Sequence, residues 1–154
     1  MIILGIDPGT TRIGYGLIEK EGGKITFKDA GIIEINNSDP GAKLLKLEEE
    51  ILNLLSQMKP EKAGVEKLFF SKNKKTALEV AEARGVIITA ITKKNIPLVE
   101  ILPNEVKISV TGNGNTSKEG VSKMVSYILK IPTEKYIDDT TDALAVAIAT
   151  GDKC

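Results

Sequence analysis

Acidic residues at three separate places in the chain could perform chemistry together. Asp7 follows an aliphatic run, Glu66 lies in or at the end of a second apolar stretch, and Asp138, Asp139 and Asp142 open a third. A carboxylate cluster without histidine suits one or two Mg²⁺ or Mn²⁺ ions, because these hard cations prefer oxygen ligands. Two such ions about 3.5–4 Å apart can clamp the attacking water and the leaving oxygen of a phosphoryl displacement. The acids therefore indicate metal-assisted hydrolysis of a phosphate ester.

Each acid also has an ordinary structural explanation. Asp7 precedes Pro8-Gly9, and an aspartate commonly opens such a turn. Glu66 could be an exposed strand residue that pairs with Lys67, and the three aspartates near residue 140 could cap a helix and complement its dipole. The chemical interpretation is favoured because separate strand and helix predictions bring all three placements to one spot.

The elements that must position these acids follow from the hydrophobic pattern. Residues 2–6 form an aliphatic run typical of a strand buried on both faces, and Pro8-Gly9 ends it. Alternation over 12–19 and β-branched residues over 24–35 predict two further strands in an antiparallel meander. The pattern then predicts a helix at 40–58, a strand at 63–68, a helix at 73–92, a strand at 98–102, and helices near 105–110, 118–129 and 140–150.

This order predicts an α/β fold: a mixed five-stranded sheet, with three antiparallel strands first and helices on both faces. If the first and fourth strands are neighbours, Asp7 and Glu66 lie at the same edge of the sheet, and a helix N-terminus there can add two acids three residues apart. The chain has 154 residues, of which 42% are apolar and 27% charged. That size and composition predict a single domain spanning 1–154.

The composition excludes several classes of chemistry. The chain has no histidine, which rules out Ser-His-Asp triads and histidine-ligated zinc. Its single cysteine, Cys154, permits neither an intrachain disulfide nor a thiolate metal site, as expected in a reducing compartment. The apolar start of the chain has no basic leader, and no apolar run is long enough for a membrane span. We therefore expect a cytoplasmic protein with no membrane partner.

Charge is segregated along the chain, although 21 basic and 21 acidic residues cancel in total. Residues 67–130 contain 11 basic and 5 acidic side chains, whereas 1–66 and 131–154 each carry a net charge of −3. A basic segment beside an acidic site suits a metal-dependent nuclease, because lysines can hold phosphates while carboxylates hold the ions. Phe69 and Phe70 lie among these lysines and could stack on bases or wedge between them. Core burial or dimer packing would also explain them.

Several ordered motifs resemble those of one family over nearly the whole chain. They are Gly5-Ile6-Asp7-Pro8-Gly9-Thr10 with Gly14-Tyr15-Gly16, Glu66-Lys67-Leu68-Phe69-Phe70 with Asn73, Ala83-Arg84-Gly85-Val86, Val106-Lys107 with Val110-Thr111-Gly112-Asn113-Gly114 and Lys118, and Asp139-Thr140-Thr141-Asp142-Ala143-Leu144-Ala145. In these motifs the chain resembles the RuvC-type Holliday junction resolvases of bacteria, a family of crossover junction endodeoxyribonucleases with an RNase H-like fold.

The resemblance implies an active site of four acids. The family's catalytic and metal-binding positions fall on Asp7, Glu66, Asp139 and Asp142. These residues would hold two Mg²⁺ ions per active site, with Mn²⁺ as a substitute. Asp138, one position from the third acid, is the alternate.

The resemblance also implies how the protein meets its substrate. The family's DNA-binding positions fall on Phe69, Lys107 and Lys118. The implied partners are four-way junction DNA and a branch-migration motor complex, and the implied activity is resolution of junctions by paired nicks during recombination and repair. A homodimer is expected, because a junction is two-fold pseudosymmetric and needs two opposed nicks.

Three other classes of protein share part of this pattern. Asp7-Pro8-Gly9-Thr10-Thr11 also resembles the first phosphate loop of actin-like ATPases, but those proteins need two such domains to enclose a nucleotide. A non-catalytic nucleic-acid binding module would have no reason to hold four acids that repel phosphate in the absence of metal. A smaller RNase H-like nuclease that processes RNA shares the Asp7 loop but would not explain Phe69 or the Lys107 to Lys118 segment.

Overall fold

A computed structural model describes residues 1–68, 74–136 and 138–153. Within these ranges five strands form one sheet in the order β3-β2-β1-β4-β5. The strands are β1 (Ile2–Asp7), β2 (Arg12–Glu21), β3 (Lys24–Glu34), β4 (Lys62–Glu66) and β5 (Leu98–Ile101). The first three strands pair antiparallel, and β4 pairs parallel with both β1 and β5. The predicted mixed sheet with an antiparallel start is confirmed.

Helices cover both faces of the sheet, as the sequence predicted. They are α1 (Pro40–Met58), α2 (Lys74–Lys93), α3 (Pro103–Thr111), α4 (Lys118–Leu129) and α5 (Asp138–Asp152), with a short 3₁₀ turn at Thr133–Lys135. One buried apolar cluster joins α1 and α2 to the sheet, and a second joins α3, α4 and α5 to the opposite face. None of the helices in the described part of the chain is long and apolar enough to cross a membrane.

Local sequence signals explain where the helices begin and end. The Asp39 side chain accepts a hydrogen bond of 2.7 Å from the Ala42 backbone N–H and caps α1, with Pro40 in the first turn. Helix α3 begins at Pro103 rather than near 105, because proline has no N–H to leave unpaired in a first turn. The helix ends at Thr111 and is capped by Gly112, whose φ of 76° is a left-handed conformation that glycine adopts readily.

Helix α5 lies directly on the backbone of the sheet. Nearly all of its residues from Thr140 to Gly151 are buried, and most of them are small. Glycines on three strands face it: a Cβ added at Gly5, Gly14 or Gly64 would lie within 3.0 Å of atoms of α5, closer than real Cβ atoms come. The glycines therefore set the height of α5 above the sheet, and with it the position of the acids in its first turn.

Candidate active site

Asp7 and Glu66 are carried to the same edge of the sheet by the parallel pair β1 and β4. The register of this pair ends with Ile6 opposite Val65, and the two acids are the next residues. Side chains alternate between faces along a strand. Gly5 and Gly64 contact α5, so Asp7 and Glu66, each two residues further on, also face α5. The strand register therefore brings Asp7 and Glu66 to the same edge of the sheet, as predicted.

The first turn of α5 brings Asp139 and Asp142 to this edge. The carboxylates act on one another electrostatically: burial first, and then the charges of Glu66, Asp142 and Asp139 in that order, raise the pKa of Asp7 from 3.8 to about 8. Burial and then the charge of Asp142 raise the pKa of Glu66 from 4.5 to about 7. The structure thus brings the four predicted acids together at one electrostatically coupled site.

The side chain of Asp138 is much more exposed than that of Asp139. Its side chain is 83% exposed, and its nearer oxygen is 3.9 Å from Lys118 Nζ. Asp139 is 29% exposed and turns toward Arg12, with 3.4 Å between its Oδ2 and the arginine Nε. This placement favours Asp139 over Asp138 as the third acid of the site.

Two basic side chains, Arg12 and Lys118, lie among the acids. Lys118 Nζ is 3.0 Å from Asp142 Oδ2, and this ion pair opposes the effect of burial, which raises the pKa of Asp142. Burial acts to lower the pKa of Lys118, but the hydrogen bond and charge of Asp142 outweigh it and the pKa is raised. In the described ranges no three acidic side chains are grouped as a ready metal-ligand set. In the structure Asp139 is paired with Arg12, and Asp142 is paired with Lys118.

The donor set still fits divalent metal ions. The charges of the other three acids act on Asp7, and the charge of Asp142 acts on Glu66. With their pKa values raised to about 8 and about 7, full ionisation of these buried carboxyl groups is unfavourable without a compensating cation. Mg²⁺ prefers carboxylate and water oxygens and supplies that charge. Asp7, Glu66, Asp139 and Asp142 are the residues that would hold it.

The two predicted DNA-binding lysines lie beside the acids. Lys107 of α3 and Lys118 of α4 line a cleft of about 280 Å³ together with Glu66 and Asp142. The lysines can therefore meet a phosphate that approaches the carboxylates. Phe69, the predicted DNA-contacting aromatic, lies outside the described residues.

Comparison with known proteins decides the family. A family model described as crossover junction endodeoxyribonuclease RuvC matches residues 3–150. This chain belongs to the RuvC family. It is 43% identical over 152 residues to crossover junction endodeoxyribonuclease RuvC of Petrotoga mobilis, covering 98% of this chain and 93% of the relative. The corresponding protein of Brachyspira hyodysenteriae is 46% identical over 150 residues, covering 97% of this chain and 92% of the relative.

Solved structures of RuvC proteins have the same fold. The structure "T. thermophilus RuvC in complex with Holliday junction substrate" has a TM-score of 0.89 and 28% identity, covering 97% of this chain and 92% of that chain. The yeast mitochondrial Holliday junction resolvase Ydc2 has a TM-score of 0.71 at 16% identity, covering 96% of this chain and 76% of that chain, a likeness of fold alone. The RNase H-like fold implied by the sequence motifs is confirmed, and the family favours a nuclease over the actin-like and non-catalytic alternatives.

Arg12 is a site residue that the sequence reasoning missed. It is the first residue of β2, directly after the turn that follows Asp7, and it pairs with Asp139. The predicted meander could have indicated that Arg12 lies near Asp7, because a strand that pairs antiparallel with β1 after a short turn must begin near the end of β1. The pairing with α5, however, depends on how closely the helix approaches the sheet.

The raised pKa values predict an unusual dependence of stability on pH. Between about pH 4 and pH 8 the folded state keeps protons on Asp7 and Glu66 that the unfolded chain has released. In the presence of EDTA, the free energy of unfolding should therefore fall as pH rises through this window, by on the order of several kcal/mol. Urea unfolding at pH 5 and pH 8 measures the difference.

The matched variant is Asp7→Asn, which cannot ionise at this position. It should be more stable than the wild-type protein at pH 8 in EDTA, and its stability should change less between pH 5 and pH 8. An equal pH dependence in both proteins would contradict the assignment of the effect to Asp7.

Proposed function

We propose that this protein is a metal-dependent endonuclease that resolves four-way DNA junctions by paired symmetric nicks during recombination and repair. The observation that carries the proposal is the convergence of Asp7, Glu66, Asp139 and Asp142 beside Lys107 and Lys118. Membership of the RuvC family and the fold shared with a RuvC protein described in complex with a Holliday junction substrate support it.

The proposed chemistry is hydrolysis of a DNA phosphodiester that leaves a 5′-phosphate and a 3′-hydroxyl. Two Mg²⁺ ions, for which Mn²⁺ can substitute, would supply an activated water and charge stabilisation at the leaving oxygen. Asp7, whose pKa is raised by the charges of the other three acids, would contact both ions. Glu66, Asp139 and Asp142 complete the ligand set, and Lys107 and Lys118 hold the phosphate backbone.

The metal site and the DNA surface share Lys118. Its ammonium group pairs with Asp142 in the structure, so a phosphate and the carboxylate compete for the same cation. A metal ion held by Asp142 would compete with Lys118 for this carboxylate and would leave the Lys118 ammonium group for the phosphate. Metal ions and DNA should therefore favour each other's binding.

The cleavage experiment compares two substrates of the same sequence, a four-way junction and a linear duplex, with Mg²⁺ and with EDTA. We expect Mg²⁺-dependent symmetric nicks in the junction and little cutting of the duplex. Equal cutting of both would leave a general nuclease. Cutting of RNA in preference to the junction would favour the RNA-processing alternative, and ATP hydrolysis without cutting would favour the actin-like one.

We further propose that the protein acts as a two-fold symmetric dimer, with a branch-migration motor complex as a further partner. Two opposed nicks require two active sites that face one junction. Leu45 of α1 and Leu78 of α2 are large apolar side chains that are 69% and 67% exposed, and such side chains are suited to an interface. Sedimentation velocity at micromolar concentration should give a dimer, and a monomer would contradict this proposal.

A further inference from the structure

Arg84 of α2 joins three elements at the end of β4. Its Nε donates a hydrogen bond of 3.0 Å to the backbone carbonyl oxygen of Glu66. Its Nη2 pairs with Oε2 of Glu100, on the neighbouring strand β5. Only 18% of the Arg84 side chain is exposed. The guanidinium group is therefore held on two sides and fixed against the strand that carries a proposed metal ligand.

The contact with Glu66 lies at the point where regular pairing of β4 ends. Glu66 is the last residue of the strand, and the next backbone N–H, that of Lys67, donates to the carbonyl oxygen of Ile101. The carbonyl oxygen of Glu66 accepts instead from a charged side chain, a bond stronger than one between neutral groups. The bond restrains the peptide group that follows the Glu66 Cα, and so the direction in which this residue presents its carboxylate.

Arg84 lies on the face of the sheet opposite the candidate active site. Glu100 is paired in register with Val65, which belongs to the core beneath α1 and α2. Glu66 is paired with Ile101, which belongs to the core beneath α3, α4 and α5. The arginine thus approaches from the α2 side while the carboxylate of Glu66 faces α5 and the other acids. A group in this place cannot touch the phosphate that is cut.

We propose that Arg84 is a positioning residue: its hydrogen bond to the Glu66 backbone holds the Glu66 carboxylate in the arrangement that binds metal ions with Asp7 and Asp142. The inference rests on the proposed function, in which Glu66 is a metal ligand. Outer contacts that orient ligands commonly change metal affinity by 10–100-fold when removed. A guanidinium group is needed because its fixed fork of donors reaches the carbonyl and Glu100 together, which a single ammonium group cannot reproduce.

The test uses Arg84→Lys and Arg84→Ala, with direct Mn²⁺ binding by electron paramagnetic resonance and single-turnover cleavage of a four-way junction. We expect both variants to bind Mn²⁺ about tenfold more weakly, to need correspondingly more metal for cleavage, and to cut more slowly at saturating junction. Junction affinity measured in EDTA should stay within about twofold of the wild-type value, because Arg84 lies away from the DNA-facing lysines.

Two controls separate positioning from simple loss of stability. Lys93→Ala removes another ion pair that ties α2 to the rest of the protein, through Glu48 of α1, without touching β4. Glu100→Gln removes the charge of Arg84's second partner but keeps an acceptor for it. Both controls should retain Mn²⁺ affinity within about twofold, and urea unfolding gives the stability of each variant.

The possible results test the role of Arg84 and the proposed function separately. Wild-type Mn²⁺ affinity in folded Arg84→Lys would overturn the positioning role, as would an equal loss of affinity in Lys93→Ala. A wild-type protein that neither binds Mn²⁺ nor cuts the junction would overturn the proposed function itself. Weaker Mn²⁺ binding in folded Arg84→Lys, with both controls close to wild type, supports the inference.

Discussion

Asp7→Asn will lower junction cleavage by about 10³-fold or more, equivalent to a rise of about 4 kcal/mol in the barrier, while junction binding is kept or strengthened. The substitution keeps the size of the side chain but removes the charge at the residue on which the other three acids act. The substitution removes a proposed ligand to both metal ions. Above about pH 8, where the metal-free carboxyl group of Asp7 ionises, it also removes a repulsion toward phosphate. Single-turnover cleavage in Mg²⁺ and gel-shift binding in EDTA measure the two effects separately.

Asp138→Asn is the control, because it replaces an acid with its amide in the first turn of α5, next to Asp139. The side chain of Asp138 is 83% exposed and lies at the edge of the cluster, so most of the cleavage rate should remain. Asp139→Asn should lose most of the cleavage rate. The reverse result would shift the third acid by one residue, and wild-type cutting by Asp7→Asn would overturn the whole assignment.

The architecture could be predicted because its signals are local. The aliphatic run of β1 is buried over most of its length, as expected for a central strand. The helical spacing that predicts a helix at 40–58 coincides with α1. Position in the sheet then follows from short connections and from the parallel crossover between β1 and β4, which brings Asp7 and Glu66 to one edge.

The contacts that complete the site could not be predicted in the same way. Arg12 meets Asp139, and Arg84 meets the backbone of Glu66, across elements that are distant in sequence. Neither arginine has a periodicity or a turn signal that reveals its partner. Each contact depends on the height and rotation of a helix above the sheet, which tertiary packing decides. The acids were recognisable by type and placement, whereas the groups that orient them were not.

The height of α5 is the packing variable on which the site depends most. Asp139 and Asp142 belong to this helix, while Asp7 and Glu66 belong to the sheet beneath it. The two pairs of carboxylates can share metal ions only if the helix stays close to the strands. Glycine is the residue that permits this, since any side chain on the facing strand positions would separate the layers.

Gly14→Ala should therefore reduce cleavage strongly without removing any group that takes part in it. Gly14 pairs with Asp7 in the β1–β2 register, and its added Cβ would lie within 3.0 Å of the backbone carbonyl group of Asp139. Backbone cannot yield as a flexible side chain does, so the first turn of α5 must shift. A displacement of about 1 Å at a reacting centre can cost about 10²-fold in rate, and the overpacking itself should cost about 1–3 kcal/mol of stability.

Gly85→Ala provides the matched control, because it adds the same methyl group at an exposed position of α2, where no described atom outside the adjoining stretch of the helix lies within 4 Å of the new Cβ. Replacing glycine with alanine inside a helix stabilises it by up to about 1 kcal/mol, so this variant should cut normally and unfold at slightly higher urea concentration. Single-turnover cleavage and urea unfolding of both variants give the comparison. Normal cleavage by a folded Gly14→Ala protein would show that α5 can move away from the sheet without loss of the site, and would contradict the dependence of the acid cluster on the glycine contact.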